Sequence, residues 1–297
     1  MLKTFLTENN IQFLENESLK KHTTFKVGGN ADFIAMPQDR QQAVKLLKFV
    51  KENDIKHYIL GRGSNVIFRD NGFKGVVIKT ANMQQIEYKD ETTVFAGAGV
   101  PMNVLCKSLQ EHSLEGLEFC YGIPGNIGGG LYMNAGAYGG EVKDTLISCT
   151  CMKTDGEIVT YSADELDLSY RHSRLGDSDE ILLDATFRLV PAAQAEIREK
   201  MDDLMNRRRS KQPLEYPSAG SVFKRPQGYY AAALIEECGL KGCSVGGAQV
   251  SQKHSGFIIN TGDATCFDLK RLIEKVKQEV FMTHGVTLEC EIKIIGE

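Results

Sequence analysis

The sequence predicts an α+β fold on three observations. Stretches of helical periodicity and short β-branched runs share the chain without the even strand–helix alternation of a parallel α/β sheet. Glycine is gathered into three loops rather than spread. The length of 297 residues exceeds the usual single domain, so two or three domains sharing one or two cores are expected. Composition excludes several classes. A net charge of −4 argues against a nucleic-acid or anionic-membrane surface, and no apolar run approaches a membrane span. The eight cysteines are scattered, with no CxxC and no histidine at zinc-ligand spacing, so no metal site is expected. The N-terminal segment has neither an apolar core region nor a small-residue cleavage site. Reduced thiols and a cytoplasmic location are the expectation, with no obligate protein partner evident.

The elements follow in order. PQDRQQAVKLLKFVKEND (37–54) has one apolar face at Ala43, Leu46, Leu47 and Val50, with Asp39 as cap and Gln42 closing a capping box. In IKHYILGRGSNVIFRDNGFKGVVIK (55–79), β-branched runs alternate with glycine-rich turns. TVFAGAGV (93–100) ends a strand, and Pro101 opens a helix through Leu105 and Leu109. ISCTCMKTDGEIVTY (147–161) reads as a hairpin turning at Asp155-Gly156. EILLDATFRLV (180–190) is a strand, and 192–210 a polar helix whose Arg207–Arg209 run reads as a solvated end complementing the helix dipole. After a break near Pro213 come a short helix stopped by Gly239, the strand SGFIIN (255–260) and a long helix over 267–284. That helix turns Leu269, Leu272, Ile273, Val276 and Val280 inward, and Gly285 ends it. LECEIKIIG (288–296) alternates as one strand, with Glu289, Glu291 and Lys293 sharing a face.

The glycine loops carry the functional question. CYGIPGNIGGGLYMNAGAYGG (120–140) holds eight of the 29 glycines and no charged side chain. Such permissive backbone marks a place where side chains would obstruct either a crossing segment or a bulky ligand. KVGGNAD (26–32) and LGRGSNVIF (60–68) are the other two. In the latter, successive main-chain N–H groups with Ser64 and Asn65 form a nest suited to phosphate oxygens. The loop is neither a Rossmann fingerprint, lacking its third glycine, nor a Walker A loop, lacking Gly-Lys-Ser/Thr. Three such loops point to a large phosphorylated cofactor held by backbone.

Six motifs occur in an order that carries a resemblance: HTTFKVGGNAD, LGRGSNVIFRDNGFKGVVI, IPGNIGGGLYMNAGAYGGEVKD, LSYRHSRL, AGSVFKRP and LECEIKIIG. From about residue 20 onward the chain resembles the UDP-N-acetylenolpyruvoylglucosamine reductases, flavoenzymes of peptidoglycan precursor synthesis. The resemblance implies a p-cresol methylhydroxylase-type FAD-binding fold of two α+β subdomains, plus a C-terminal α+β substrate-binding domain. It places the first subdomain at 1–73 with the strand 291–297, the second at 74–210 and the substrate domain at 211–290. It implies FAD bound without a covalent link, with NADPH as co-substrate and the enolpyruvyl ether of UDP-N-acetylglucosamine as substrate. The residues carried over to the cofactor are Val27, Gly28, Gly29, Gly61, Arg62, Gly63, Ser64, Asn65, Gly97, Gly122, Ile123, Pro124, Gly125, Gly128, Gly129, Asn134, Gly136 and Ala137.

Three side chains carry the chemistry by resemblance: Arg171 facing the substrate carboxylate, Ser221 as proton donor and Glu291 stabilising the enol. By residue type alone Arg171 reads as a strand-end surface group, Ser221 as a turn residue and Glu291 as part of an exposed strand face. The chain looks like the shorter class, without the inserted loop whose tyrosine covers the substrate. Tyr170, Lys224, Arg225 and Lys293 are then the candidates for holding the UDP. Two other readings stand beside this one: another FAD oxidoreductase or oxidase of the same fold, and a nucleotide-binding protein without catalysis.

Overall fold

The computed structural model describes residues 1–153 and 155–296. It mixes helices and strands, and the chain divides into two compact units. The first comprises Met1–Glu15, Phe33–Arg62 and Gly75–Arg207; the second comprises Asn16–Asp32, Gly63–Lys74 and Arg208–Glu297.

In the first unit a five-stranded sheet runs in the order Ile158–Ser162, Leu146–Met152, Ile181–Arg188, Thr93–Gly97, Ile86–Tyr88, antiparallel throughout. Val94, Ala96, Cys149, Cys151, Ala185 and Phe187 alternate into its core, as half-buried antiparallel strands do. Helices Met102–Glu111 and Ile127–Tyr132 supply Leu105, Leu109 and Leu131 to the same core. Leu146–Met152 and Ile158–Ser162 form the hairpin expected from Asp155-Gly156; Gly156 turns it at φ 86°, and Thr154 lies outside the described residues.

A second core packs helix Arg40–Glu52, through Ala43, Leu46, Leu47 and Val50, with the N-terminal helix Leu2–Glu8 that no sequence signal announces. Asp39 caps the amide of Gln42 at 2.8 Å, but Gln42 bonds the amide of Gln38 rather than that of Asp39. The expected capping box is therefore displaced by one residue. His57–Leu60 and Phe73–Lys79 pair in parallel, which sets Leu60 opposite Lys79.

The second unit has a four-stranded antiparallel sheet ordered Ser218–Ser221, Phe257–Asn260, Ala248–Val250, Ser244–Val245. The apolar face of helix Cys266–His284 packs with it through Leu269, Leu272, Ile273, Val276 and Val280. That helix begins under unusual restraint. Thr265 and Asp268 form a reciprocal capping box, and the Asp70 carboxylate accepts the amides of Cys266 (2.9 Å) and Phe267 (3.0 Å). An anion at this end also meets the positive pole of the helix dipole. Gly285 closes the other end at φ 68°.

Two further expectations need correction. The segment 288–296 is not one strand: Cys290 bridges antiparallel to Phe223, and only Lys293–Ile295 continues, parallel to Val66–Phe68. Its alternation of buried Leu288 and Ile292 with exposed Glu289 and Lys293 is real, but the partner changes halfway, at Glu291. The basic helix end is not all solvated either. Arg208 is buried, while Arg207 pairs with Asp203 one turn earlier at 2.8 Å.

Removing the cap at Thr265 with Thr265→Ala should lower the unfolding free energy by about 1 kcal/mol. Asp70→Ala should cost more, about 1.5–3 kcal/mol, because charged-acceptor bonds are lost. Urea unfolding measures both, and an equal or smaller loss at position 70 would contradict the double-amide cap.

Candidate functional site

Within the second unit the structure brings Ser221 and Glu291 together. The amide of Glu291 donates to the carbonyl of Val222 at 2.8 Å, so Glu291 lies beside the residue that follows Ser221. The Glu291 carbonyl accepts the Asn65 side-chain amide at 3.1 Å, and the Lys293 amide returns to the Asn65 carbonyl at 3.0 Å. Ser221 ends its strand after Gly220, which takes φ 79° where the register slips between Ser218 and Ser221. Its hydroxyl rests on the Phe223 carbonyl at 3.4 Å, a bond long enough to be given up easily.

Arg171 stands in the first unit, in a tight turn closed by Ser169 and His172. Its guanidinium donates to the Gly136 carbonyl at 3.1 Å and lies over the Tyr170 ring at 5.1 Å. The turn is tied to the glycine-rich stretch in two further places. Asn134 donates to the Ser169 carbonyl at 3.0 Å, and Ser173 donates to the Tyr132 carbonyl at 2.5 Å. Asn134 is wholly buried; its amide also bonds Glu141 and its oxygen accepts from the Lys143 amide. It acts as a brace for the Arg171 turn. Glu141 carries no motif signal of its own. The Lys143 ammonium, bonded at 2.7 Å, holds its carboxyl below the usual range, helped by the Asn134 amide and the charge of Arg171.

The cofactor candidates sort by what a side chain would meet. A Cβ on Gly28 would meet Phe68, one on Gly29 the Asp70 carbonyl, one on Gly97 the Met83 carbonyl, and one on Gly128 Ala98. Val27 is a core residue of the second unit. Gly63 takes φ 69° against the His22 carbonyl, while the Thr24 amide donates to Gly63 and its hydroxyl to Ser218. The chain's own packing opposes a Cβ at Gly28, Gly29, Gly63 and Gly97, while at Gly128 Ala98, at 3.1 Å, would have to give. Gly136 is close-packed too, against Glu141, Gly140 and Arg171, beside half-buried Ala137.

Gly61 and Gly129 differ. Nothing lies within 4 Å of a Cβ on Gly129, and only the Asn126 Cβ, at 3.9 Å, approaches one on Gly61. Gly129 belongs to the short helix Ile127–Tyr132, where a plain loop was expected. Gly122, Ile123, Pro124 and Gly125 form the turn leading into it, and Pro124 is exposed. Among the described residues, no main-chain carbonyl outside the regular elements accepts from the amides of Gly61, Arg62, Gly63 or Ser64. Arg62 is exposed, and half-buried Lys79 lies near it; burial first and that like charge second pull the Lys79 ammonium below its usual range. Open glycines and nearby cations fit a phosphorylated cofactor held by main chain.

The UDP candidates are partly engaged. Lys224 pairs with Glu289 at 3.3 Å, Arg225 lies over the Tyr230 ring at 4.0 Å, and Tyr170 and Lys293 are exposed.

Comparison with known proteins decides the family. Residues 212–295 match the model of the UDP-N-acetylenolpyruvoylglucosamine reductase C-terminal domain, and residues 31–162 match a FAD binding domain. A UDP-N-acetylenolpyruvoylglucosamine reductase of Agathobacter rectalis is 47% identical over 96% of this chain and 94% of its own length. The chain belongs to the UDP-N-acetylenolpyruvoylglucosamine reductase family. A second member, from Caldanaerobacter subterraneus subsp. tengcongensis, is 44% identical over 100% of this chain and 97% of its own. The solved reductase of Thermus caldophilus superposes with a TM-score of 0.82 at 32% identity, covering 96% of this chain and 98% of that one. Family and fold are those expected from the six motifs. Among the described residues, no helix is long and apolar enough to cross a membrane.

The two kinds of glycine should separate in experiment. Gly63→Ala should destabilise the protein even without flavin, since its φ of 69° and the His22 carbonyl both oppose a Cβ. Gly61→Ala should unfold like the parent yet bind FAD more weakly. Thermal unfolding of the apo-protein and a flavin fluorescence titration check the pair; full FAD affinity in Gly61→Ala would remove that residue from the cofactor site.

Proposed function

We propose that this chain is a FAD- and NADPH-dependent reductase that converts the enolpyruvyl ether of UDP-N-acetylglucosamine into UDP-N-acetylmuramate. This is a step of peptidoglycan precursor synthesis. Beyond family membership, the observation that supports it most is the main-chain frame that seats Ser221 beside Glu291. FAD, when bound, would supply the hydride chemistry that links NADPH to the β-carbon of the enolpyruvyl group.

The residues must manage what that delivery creates. Negative charge moves into the substrate carboxylate, so a fixed cation has to be waiting there. Arg171 fills that role, since a guanidinium stays charged and forks onto a carboxylate. A proton must then reach the α-carbon. Ser221 holds one on a hydroxyl that is only loosely engaged. Serine is a weak acid, but an enolate carbon is a strong base at that moment. Glu291, fixed through its main chain, stabilises the enol form.

In this reading residues 1–73 with 291–297 and residues 74–210 hold FAD without a covalent link, and 211–290 hold the sugar nucleotide. Tyr170, Lys224, Arg225 and Lys293 hold the UDP. Releasing Lys224 from Glu289 frees a cation for the diphosphate. We place the protein in the cytoplasm, where its eight free cysteines stay reduced.

The two half-reactions separate the roles. Ser221→Ala should leave flavin reduction by NADPH nearly untouched, because that step delivers no proton to carbon. Reoxidation by the enolpyruvyl substrate should slow by about 10²–10⁴, the usual worth of a general acid. That is about 3–5 kcal/mol of transition-state stabilisation. Ser221→Cys should restore part of the rate. Stopped-flow absorbance of the flavin band follows each half alone. Equal slowing of both would make Ser221 a residue that shapes the flavin site, and an unaffected second half would remove it as donor.

A further inference from the structure

The turn carrying Arg171 has a lock of its own. Ser169 and His172 exchange two main-chain hydrogen bonds, each 3.2 Å, and Arg171 between them takes φ 55°. A bulky residue in this left-handed region needs surroundings that hold it there. The imidazole of His172 supplies a second closure. Its Nδ1 faces the Asp167 carbonyl at 3.0 Å and its Nε2 faces the Asp177 carboxylate at 2.8 Å.

Both partners are acceptors. A neutral imidazole has one N–H and one lone pair, so one ring nitrogen would set its lone pair against an oxygen. Only the imidazolium donates to both. Asp167 lies just before the turn, itself left-handed at φ 47°, and Asp177 ends the 3₁₀ segment Arg174–Asp177 just after it. The cationic ring thus joins the chain entering the turn to the chain leaving it.

We propose that His172 is a positioning residue for the reductase: its imidazolium staples Asp167 to Asp177 and so holds the left-handed turn that aims the Arg171 guanidinium. The inference rests on the reading that Arg171 meets the substrate carboxylate. His172 itself touches no substrate.

The charged groups facing the ring are Asp177 and, with a carboxylate oxygen 3.9 Å from Nδ1, Asp167. The Asp177 bond first and the Asp167 carbonyl second hold the ring's pKa above the usual histidine value. A raised folded pKa fixes the sign: the staple is complete at low pH and is lost as pH rises through that value.

The test is the pH profile of each half-reaction in the parent, His172→Gln, Asp177→Asn and Arg171→Ala. In the parent, reoxidation by the enolpyruvyl substrate should fall by about 3–10-fold across the raised pKa, as expected when a catalytic cation is displaced by less than 1 Å. Asp177→Asn removes the charge and should move that fall to lower pH. His172→Gln should abolish the fall and leave a flat, slower rate. Flavin reduction by NADPH needs no grip on the substrate carboxylate, so all four proteins should match there, which also reports that each is folded. A parent-like alkaline limb in His172→Gln, or equal slowing of both half-reactions, overturns the proposal. Arg171→Ala separates the two levels. If it reoxidises normally, the reading of Arg171 fails and this inference with it. If it collapses while His172→Gln and Asp177→Asn follow the parent, only the staple is wrong.

Discussion

The main chain of Glu291 is held from both sides, and the placement of the second unit's candidate residues depends on that grip. Its N–H is spent on Val222 and its carbonyl on Asn65, whose own carbonyl then takes the amide of Lys293. Main-chain groups shielded from water need partners, and these bonds supply them at half-buried Asn65 and Glu291. They fix positions 65, 221 and 291 relative to each other although the three are far apart in sequence. The frame is mostly backbone, and its bonds use neither the Ser221 hydroxyl nor the Glu291 carboxylate. Asn65 is the exception, contributing a side-chain amide to the frame itself. The change of strand partner at Glu291 is the geometric consequence. A continuous strand would have left this residue on an ordinary exposed face.

Asp70 does a related service for the C-terminal helix. It lies in a motif that reads as part of a cofactor loop, yet its carboxylate is spent on two helix amides. The same holds for HTTFKVGG. Thr24 braces the loop at Gly63 and the strand at Ser218, while the Phe25 carbonyl takes the side-chain amide of Asn260. Much of what looks like cofactor signature in this chain is the scaffolding that holds the candidate cofactor loop in shape.

The first unit solves a different problem, the presentation of a guanidinium. Asn134, Ser173 and Arg171 itself tie the 169–173 turn to the uncharged stretch that contains the open Gly129. Glu141 sits close enough for its charge to be felt by Arg171, and Lys143 offsets it. A carboxylate shared by a lysine and an amide competes less for Arg171, whose guanidinium donates to the Gly136 carbonyl.

The sequence by itself determined the α+β class, the amphipathic helices 40–52 and 266–284, the Asp155-Gly156 hairpin and the family. Periodicity, turn chemistry and ordered motifs are local properties, and they survive without knowledge of neighbours. Tertiary structure alone decided which glycines are packing and which are open. Gly63 and Gly61 stand two positions apart in one loop, and the left-handed φ of the first, with the His22 carbonyl and Thr23 against it, tells them apart. It likewise decided that 288–296 changes partner, that Arg208 is buried and that Asn134 is a brace. Each of these outcomes depends on an atom supplied from elsewhere in the chain, and a linear pattern carries no record of which distant atom arrives.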